Sequence, residues 1–123
     1  MCIRDSYAPT VLKNVSEESM MMNEEPFGPL APVNSFKDFD EVVERSNRLP
    51  FALSGYAFTS DGAKAAAIAS KIQAGTFAVN SLAVSSPETP FGGVQESGYG
   101  SEGGIEGLEA FQTTKFVSET GLG

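Results

Sequence analysis

The chain has 123 residues, 41% hydrophobic, with eight Lys and Arg against 16 Asp and Glu, one Cys and no His. This size and apolar content fit one folded domain rather than a disordered segment, and a net charge of −8 without a basic cluster argues against nucleic-acid binding, which needs clustered cations. The missing histidine excludes Ser-His-Asp and Cys-His pairs and His-containing zinc sites, the lone cysteine forbids an internal disulfide, and no apolar run approaches the roughly 18 residues that span a membrane.

In chain order, residues 1–6 (Met-Cys-Ile-Arg-Asp-Ser) do not join smoothly to the chain from Tyr7 onward and read as a non-native scar, with Cys2 incidental to it. Residues 1–14 lack the apolar core of a signal peptide, and a single unpaired thiol fits a reducing compartment, so a cytoplasmic location is expected. Residues 24–29, Glu-Glu-Pro-Phe-Gly-Pro, make a rigid turn with an acidic lead-in. Its carboxylates fit either a solvated face or, for one of them, hydrogen bonding to a diol such as a ribose.

From residue 30 the pattern alternates. Residues 30–34 form a short apolar segment with prolines near its ends, read as a strand. Ser35 with Asp38 three positions on predicts a capped helix, with Phe36, Phe39, Val42 and Val43 as its buried stripe, ending before Pro50. Residues 53–59 read as an aromatic-rich strand. Asp61 caps a second expected helix, 62–73, with Ala65, Ile68, Ala69 and Ile72 facing inward and Gly75 stopping it. A third strand is expected over 76–80. Strand-helix-strand-helix-strand predicts an α/β fold with a parallel sheet. A polar loop over 82–89, a glycine run over 90–104, a short helix over 104–111 and a last strand over 114–119 complete the chain. Phe36, Phe39, Tyr56, Phe58, Ile68 and Ile72 are expected in the core.

The glycine run holds six of the 13 glycines, and Gly98-Tyr99-Gly100-Ser101-Glu102-Gly103 matches the dinucleotide fingerprint G-x-G-x-x-G. A functional fingerprint comes after a buried strand and opens a helix. Here Thr89-Pro90-Phe91-Gly92-Gly93 precedes it, which cannot be a central strand. The spacing therefore predicts a shaped loop rather than a phosphate cradle. No EF-hand spacing appears, so no metal site is expected.

Three segments occur in order: Glu-Glu-Pro-Phe-Gly-Pro at 24–29, Ala-Gly-Thr-Phe-Ala-Val-Asn at 74–80, and Pro-Phe-Gly-Gly-Val-Gln-Glu-Ser-Gly-Tyr-Gly-Ser-Glu-Gly-Gly at 90–104. Together they resemble the C-terminal portion of the NAD(P)-dependent aldehyde dehydrogenases over about residues 7–120. The resemblance implies a C-terminal part of the catalytic domain over 7–95, a parallel βαβαβ portion. A glycine-rich linker with a short helix would come next over 96–112, then an oligomerisation strand and tail over 113–123.

By the same resemblance, Glu25 would hold the nicotinamide ribose hydroxyls of NAD or NADP, with Phe27 packing near the nicotinamide. Phe91 and the loop 82–89 would line the aldehyde pocket. Ser85-Ser86-Pro87-Glu88-Thr89-Pro90-Phe91 is similar to the succinate-semialdehyde branch, where a serine at the place of Ser86 helps bind the distal carboxylate; the plainer alternative for Ser86 is a turn former. Strand 114–119 would add to a partner subunit's sheet in a homo-oligomer. The cysteine nucleophile, the general-base glutamate and most of the cofactor site are expected upstream. This chain is thus expected to contain no catalytic residue and to be inactive alone. The rival expectation is an autonomous small α/β binding module without catalysis.

Overall fold

The computed structural model describes residues 6–123 in two compact units, one ending at Phe51 and the other running Ala52–Gly123. Of the presumed scar only Ser6 is described; Cys2 lies outside the described residues.

In the first unit, β1 (Thr10–Lys13) leads through the single-turn α1 (Met20–Asn23) to β2 (Leu30–Val33). The two strands pair in parallel, Thr10 opposite Leu30 and Lys13 opposite Val33. Pro32 can sit in β2 because a two-stranded ladder leaves one side of each strand free of hydrogen bonds. α2 (Phe39–Ser46) comes next. Its N-cap is Asp38, not Ser35 as the sequence suggested: Asp38 Oδ1 accepts from Glu41 N–H at 2.8 Å, and Glu41 reaches back to Lys37 N–H at 2.8 Å. Two carboxylates satisfying the first free amides outcompete a serine three residues earlier. Phe36 is thereby left before the helix and exposed, while Phe39, Val42 and Val43 are half-buried.

β3 (Phe51–Ala52) stands at the junction of the two units. In the second unit, β4 (Ser54–Ala57) pairs in parallel with β5 (Thr76–Val79), joined by α3 (Gly62–Lys71). The expected strand 53–59 is therefore shorter, with Leu53 excluded and Phe58 past its end and exposed. Asp61 caps α3 as anticipated, accepting from Ala63 and Lys64 N–H. Of the expected inner face, Ala65, Ile68 and Ile72 are half-buried, and Ala69 is exposed.

Gly75 does not stop this helix, which ends in an extended residue at Ile72. Its requirement is close approach: a Cβ on Gly75 would fall 1.8 Å from the Gly92 carbonyl oxygen. Gly55 lies opposite Phe77, and a Cβ there would meet the Phe77 ring at 2.6 Å, so the aromatic side chain occupies the space glycine leaves.

The α/β class and the parallel pairing agree with the sequence, but the described parallel strands form two separate two-stranded ladders. Both ladders are closed by the same device. Asn34, just after β2, clasps the backbone of Val15 through both amide atoms, at 2.7 and 2.8 Å. Asn80, just after β5, clasps Thr59 likewise at 2.9 and 2.8 Å. Val15 and Thr59 each lie two residues beyond the end of the first strand of their pair.

After the loop come β6 (Val94–Gln95) and the single-turn α4 (Glu106–Glu109). Residues 114–119, expected as a strand, are exposed throughout and outside any ladder. Among the described residues only Ala52, Thr76 and Ala78 are buried.

Candidate functional site

The Glu25 loop begins where α1 ends. Residues 24–29 are all exposed, and Phe27 retains 94% of its surface. The turn is tight: Gly28 N–H donates to Pro26 O at 3.0 Å, and Leu30 N–H to Gly28 O at 2.8 Å. With Pro26 and Pro29 inside it, the loop has few backbone freedoms of its own. Its direction depends on the two elements at its ends, α1 and β2.

α1 is too short to hold itself, since one helical turn does not repay its nucleation. Side chains hold it. Asn23 Nδ2 donates to the Glu17 and Ser19 carbonyls at 2.7 and 2.8 Å. Arg48, beyond the end of α2, donates to the Met22 carbonyl and to Asn23 Oδ1, the latter at 2.8 Å. The Glu17 carboxylate gathers the rest. Arg45 pairs with one oxygen, and Arg48 Nε lies 3.2 Å from the other as an ion pair without hydrogen-bond alignment. Arg45 also reaches Glu41 at 3.2 Å and the Ser35 carbonyl at 2.9 Å. The Arg45 hydrogen bond, helped by both positive charges and opposed by desolvation, holds Glu17 below the usual carboxylate range; the same hydrogen bond raises Arg45. An open cleft of about 180 Å³, lined by Met22, Phe36 and Val42 among others, adjoins this network and includes neither Glu25 nor Phe27.

No hydrogen bond or ion pair engages the Glu25 carboxylate among the described residues. A free, exposed carboxylate can accept from two adjacent hydroxyls at once, and an exposed phenyl ring beside it offers an apolar face. Both side chains are thus available to a ligand that presents hydroxyls and an apolar ring.

In the second unit, Ser86 and Phe91 stand on one folded-back surface. Ser86 Oγ and Thr89 Oγ1 are 3.1 Å apart, and Thr89 N–H donates to Ser86 O at 3.2 Å. The turn-forming role of Ser86 is thus realised, and with Thr89 as the donor of this pair the half-buried Ser86 hydroxyl keeps its proton for a ligand. Phe91, half-buried, exchanges two 2.7 Å backbone hydrogen bonds with Glu102. Gly103 makes this fold-back possible. Its φ is +68°, and a Cβ would meet the Thr89 and Ser86 carbonyls at 2.7 and 3.2 Å. The fingerprint-like spacing therefore serves loop packing: Gly104 N–H is spent on Pro87 O, and the next helix is a single turn.

Glu25 and Phe27 lie on one loop of the first unit, while in the second Ser86 and Phe91 each pack against the 102–104 segment. Sequence reasoning missed Glu17, Arg45 and Arg48, whose partners are 4 to 31 positions away, without a motif to join them. Among the described residues no three His, Cys, Asp or Glu side chains converge as metal ligands, and no helix is long and apolar enough to cross a membrane.

Comparison with known proteins gives one consistent result. Residues 5–117 match the family model described as "Aldehyde dehydrogenase family". The chain is 46% identical over 110 residues to the 4-(hydroxymethyl)benzenesulfonate dehydrogenase of Comamonas testosteroni, covering 89% of this chain and 23% of that protein. It is 39% identical over 116 residues to the mitochondrial succinate-semialdehyde dehydrogenase of Mus musculus, covering 94% and 22%. Among solved structures, a double mutant of betaine aldehyde dehydrogenase from Staphylococcus aureus in complex with NAD+ superposes with a TM-score of 0.85 at 34% identity, over 89% of this chain and 22% of that one. The chain thus spans under a quarter of the length of these relatives.

Proposed function

The chain belongs to the aldehyde dehydrogenase family, and from that premise we propose that it is the C-terminal part of a longer subunit oxidising an aldehyde to a carboxylic acid with NAD or NADP. The observation that carries this is the family match over residues 5–117. The free Glu25 carboxylate beside exposed Phe27 supports it.

In net terms, aldehyde, water and oxidised cofactor give carboxylate, reduced cofactor and protons. When bound, the nicotinamide supplies the hydride acceptor. Glu25 would fix the ribose by accepting its hydroxyl protons in hydrogen bonds, and Phe27 would shield one face from water. Phe91 and the loop 82–89 would line the aldehyde pocket, with Phe91 as its apolar side. The attacking thiolate, which carries the substrate as thiohemiacetal and then thioester before water releases the acid, would come from the part of the subunit preceding this chain.

For the substrate we propose an aldehyde carrying a distal anion, with succinate semialdehyde as the leading candidate. Two relatives carry a sulfonate and a succinate in their names, and Ser86 could donate to such a group. The exposed segment 114–119, which includes Phe116 at 90% exposure, would extend a partner subunit's sheet in a homo-oligomer. The cytoplasm is the proposed compartment, because a thiolate enzyme needs a reducing environment.

The test is to express the full-length subunit and follow cofactor reduction with succinate semialdehyde, 4-formylbenzenesulfonate and an uncharged aldehyde of similar size. Reduction in each case, with higher kcat/KM for the two anions, is expected. No reduction with any aldehyde refutes the function. Equal kcat/KM for all three refutes the anionic preference.

A further inference from the structure

We propose that Arg48 is a positioning residue for the cofactor, acting through the Glu25 carboxylate it does not touch; this rests on the role proposed above for Glu25.

The coupling is mechanical. Glu25 lies two residues beyond α1, a helix of one turn with no side-chain N-cap hydrogen bond. Only Glu24 separates α1 from Glu25, and Pro26 restricts the backbone of Glu25 itself, so a rotation of α1 carries Glu25 with it. Arg48 fastens the last turn of α1, through the Met22 carbonyl and the Asn23 side chain. A guanidinium suits this place because its rigid fork can engage a carbonyl, an amide and the Glu17 carboxylate at once. Its third partner, Glu17, also binds Arg45 of α2, so the clamp ties α1 to a helix of eight residues. At its far end the loop is anchored by β2, where Leu30 pairs with Thr10. Arg48 is thus the long-range tie on the side of the loop that carries Glu25.

The experiment uses the full-length subunit with Arg48→Met, Arg48→Lys, Glu25→Gln and the Arg48→Met/Glu25→Gln double variant. Cofactor affinity is read directly by calorimetry without aldehyde, and KM for each substrate by steady-state kinetics. Arg48→Met should weaken cofactor binding by about tenfold, in keeping with the sensitivity of bound geometry to small displacements. Aldehyde KM should stay within about twofold of the wild type, because the aldehyde wall lies elsewhere in the chain. Arg48→Lys should fall between, since a single ammonium replaces only part of the fork. The double variant should bind no more weakly than Glu25→Gln alone, because Arg48 acts only through Glu25.

If Glu25→Gln leaves the affinity unchanged, the role of Glu25 fails and this inference falls with it. If Glu25→Gln weakens binding but Arg48→Met does not, or the two losses add, the inference alone is overturned. Equal losses for cofactor and aldehyde would show a general folding defect and also overturn it. Should Arg48→Met not fold, Arg48→Lys carries the same comparison with Glu25→Gln.

Discussion

Single residues in this chain act mostly through backbone placement and charge pairing. Gly75 is the sharpest case. Alanine there would put a methyl carbon 1.8 Å from the Gly92 carbonyl, one residue from Phe91. The neighbour is backbone, so it cannot swing aside. Gly75→Ala in the full-length protein should therefore cost about 3 kcal/mol or more, at or above the usual range for overpacking. Gly62→Ala, in open space at the first position of α3, should be neutral or slightly stabilising. Equal thermal midpoints for the two variants would refute this reading. Glu17 gives a prediction in pH. Its folded pKa is depressed, so its contribution is present above the unfolded value and is lost as pH falls through the folded one. Arg45, raised, contributes fully at every pH below its unfolded value. Acid titration of stability should thus show a loss below the ordinary carboxylate range that Glu17→Gln removes, and an unchanged titration in that variant would contradict the pairing.

At the scale of elements, the repeated asparagine clasp is the informative feature. Parallel strands offer no tight turn to fix their ends together, so something else must close the ladder. A side-chain amide placed just past the second strand does so, because it can both accept an N–H and donate to a carbonyl of the same residue. Asn34→Ala, at the part-buried clasp, should cost about 2 kcal/mol, while Asn80→Gly, at the exposed one, should cost about 1 kcal/mol. Glycine is the better probe at position 80 because Asn80 has φ +55°, which alanine resists. Chemical denaturation of the full-length variants measures both, and no loss from either would discard the clasp. The asparagines were visible as the last residues of the two expected strands 30–34 and 76–80. Their double hydrogen bonds were not, because the partners Val15 and Thr59 are 19 and 21 residues away. β1 was missed for a related reason: four residues without clear alternation become a strand only when β2 lies beside them.

As a whole molecule the chain has little interior. Among the described residues three are buried, and Phe27, Phe111, Phe116 and Tyr99 each expose 88% or more of their surface. A structure that buries so little cannot offset the entropy of ordering its chain. The isolated 123-residue chain is therefore expected to associate with rising concentration, to give no calorimetric heat with NAD, and to oxidise no aldehyde. Reversible cooperative unfolding of a monomer, measured by circular dichroism and light scattering, would contradict this. The sequence by itself determined the family through three ordered motifs, the α/β class through alternating strand and helix periods, and the cap of α3 through Asp61, because each is written in residues close along the chain. The tertiary structure alone decided that Gly75 serves close packing instead of helix termination, that Asp38 displaces Ser35 as a cap, and that Arg48 and Glu17 hold the turn before Glu25. Those outcomes depend on which backbone or charge arrives from a distant part of the chain, and no local pattern records that arrival.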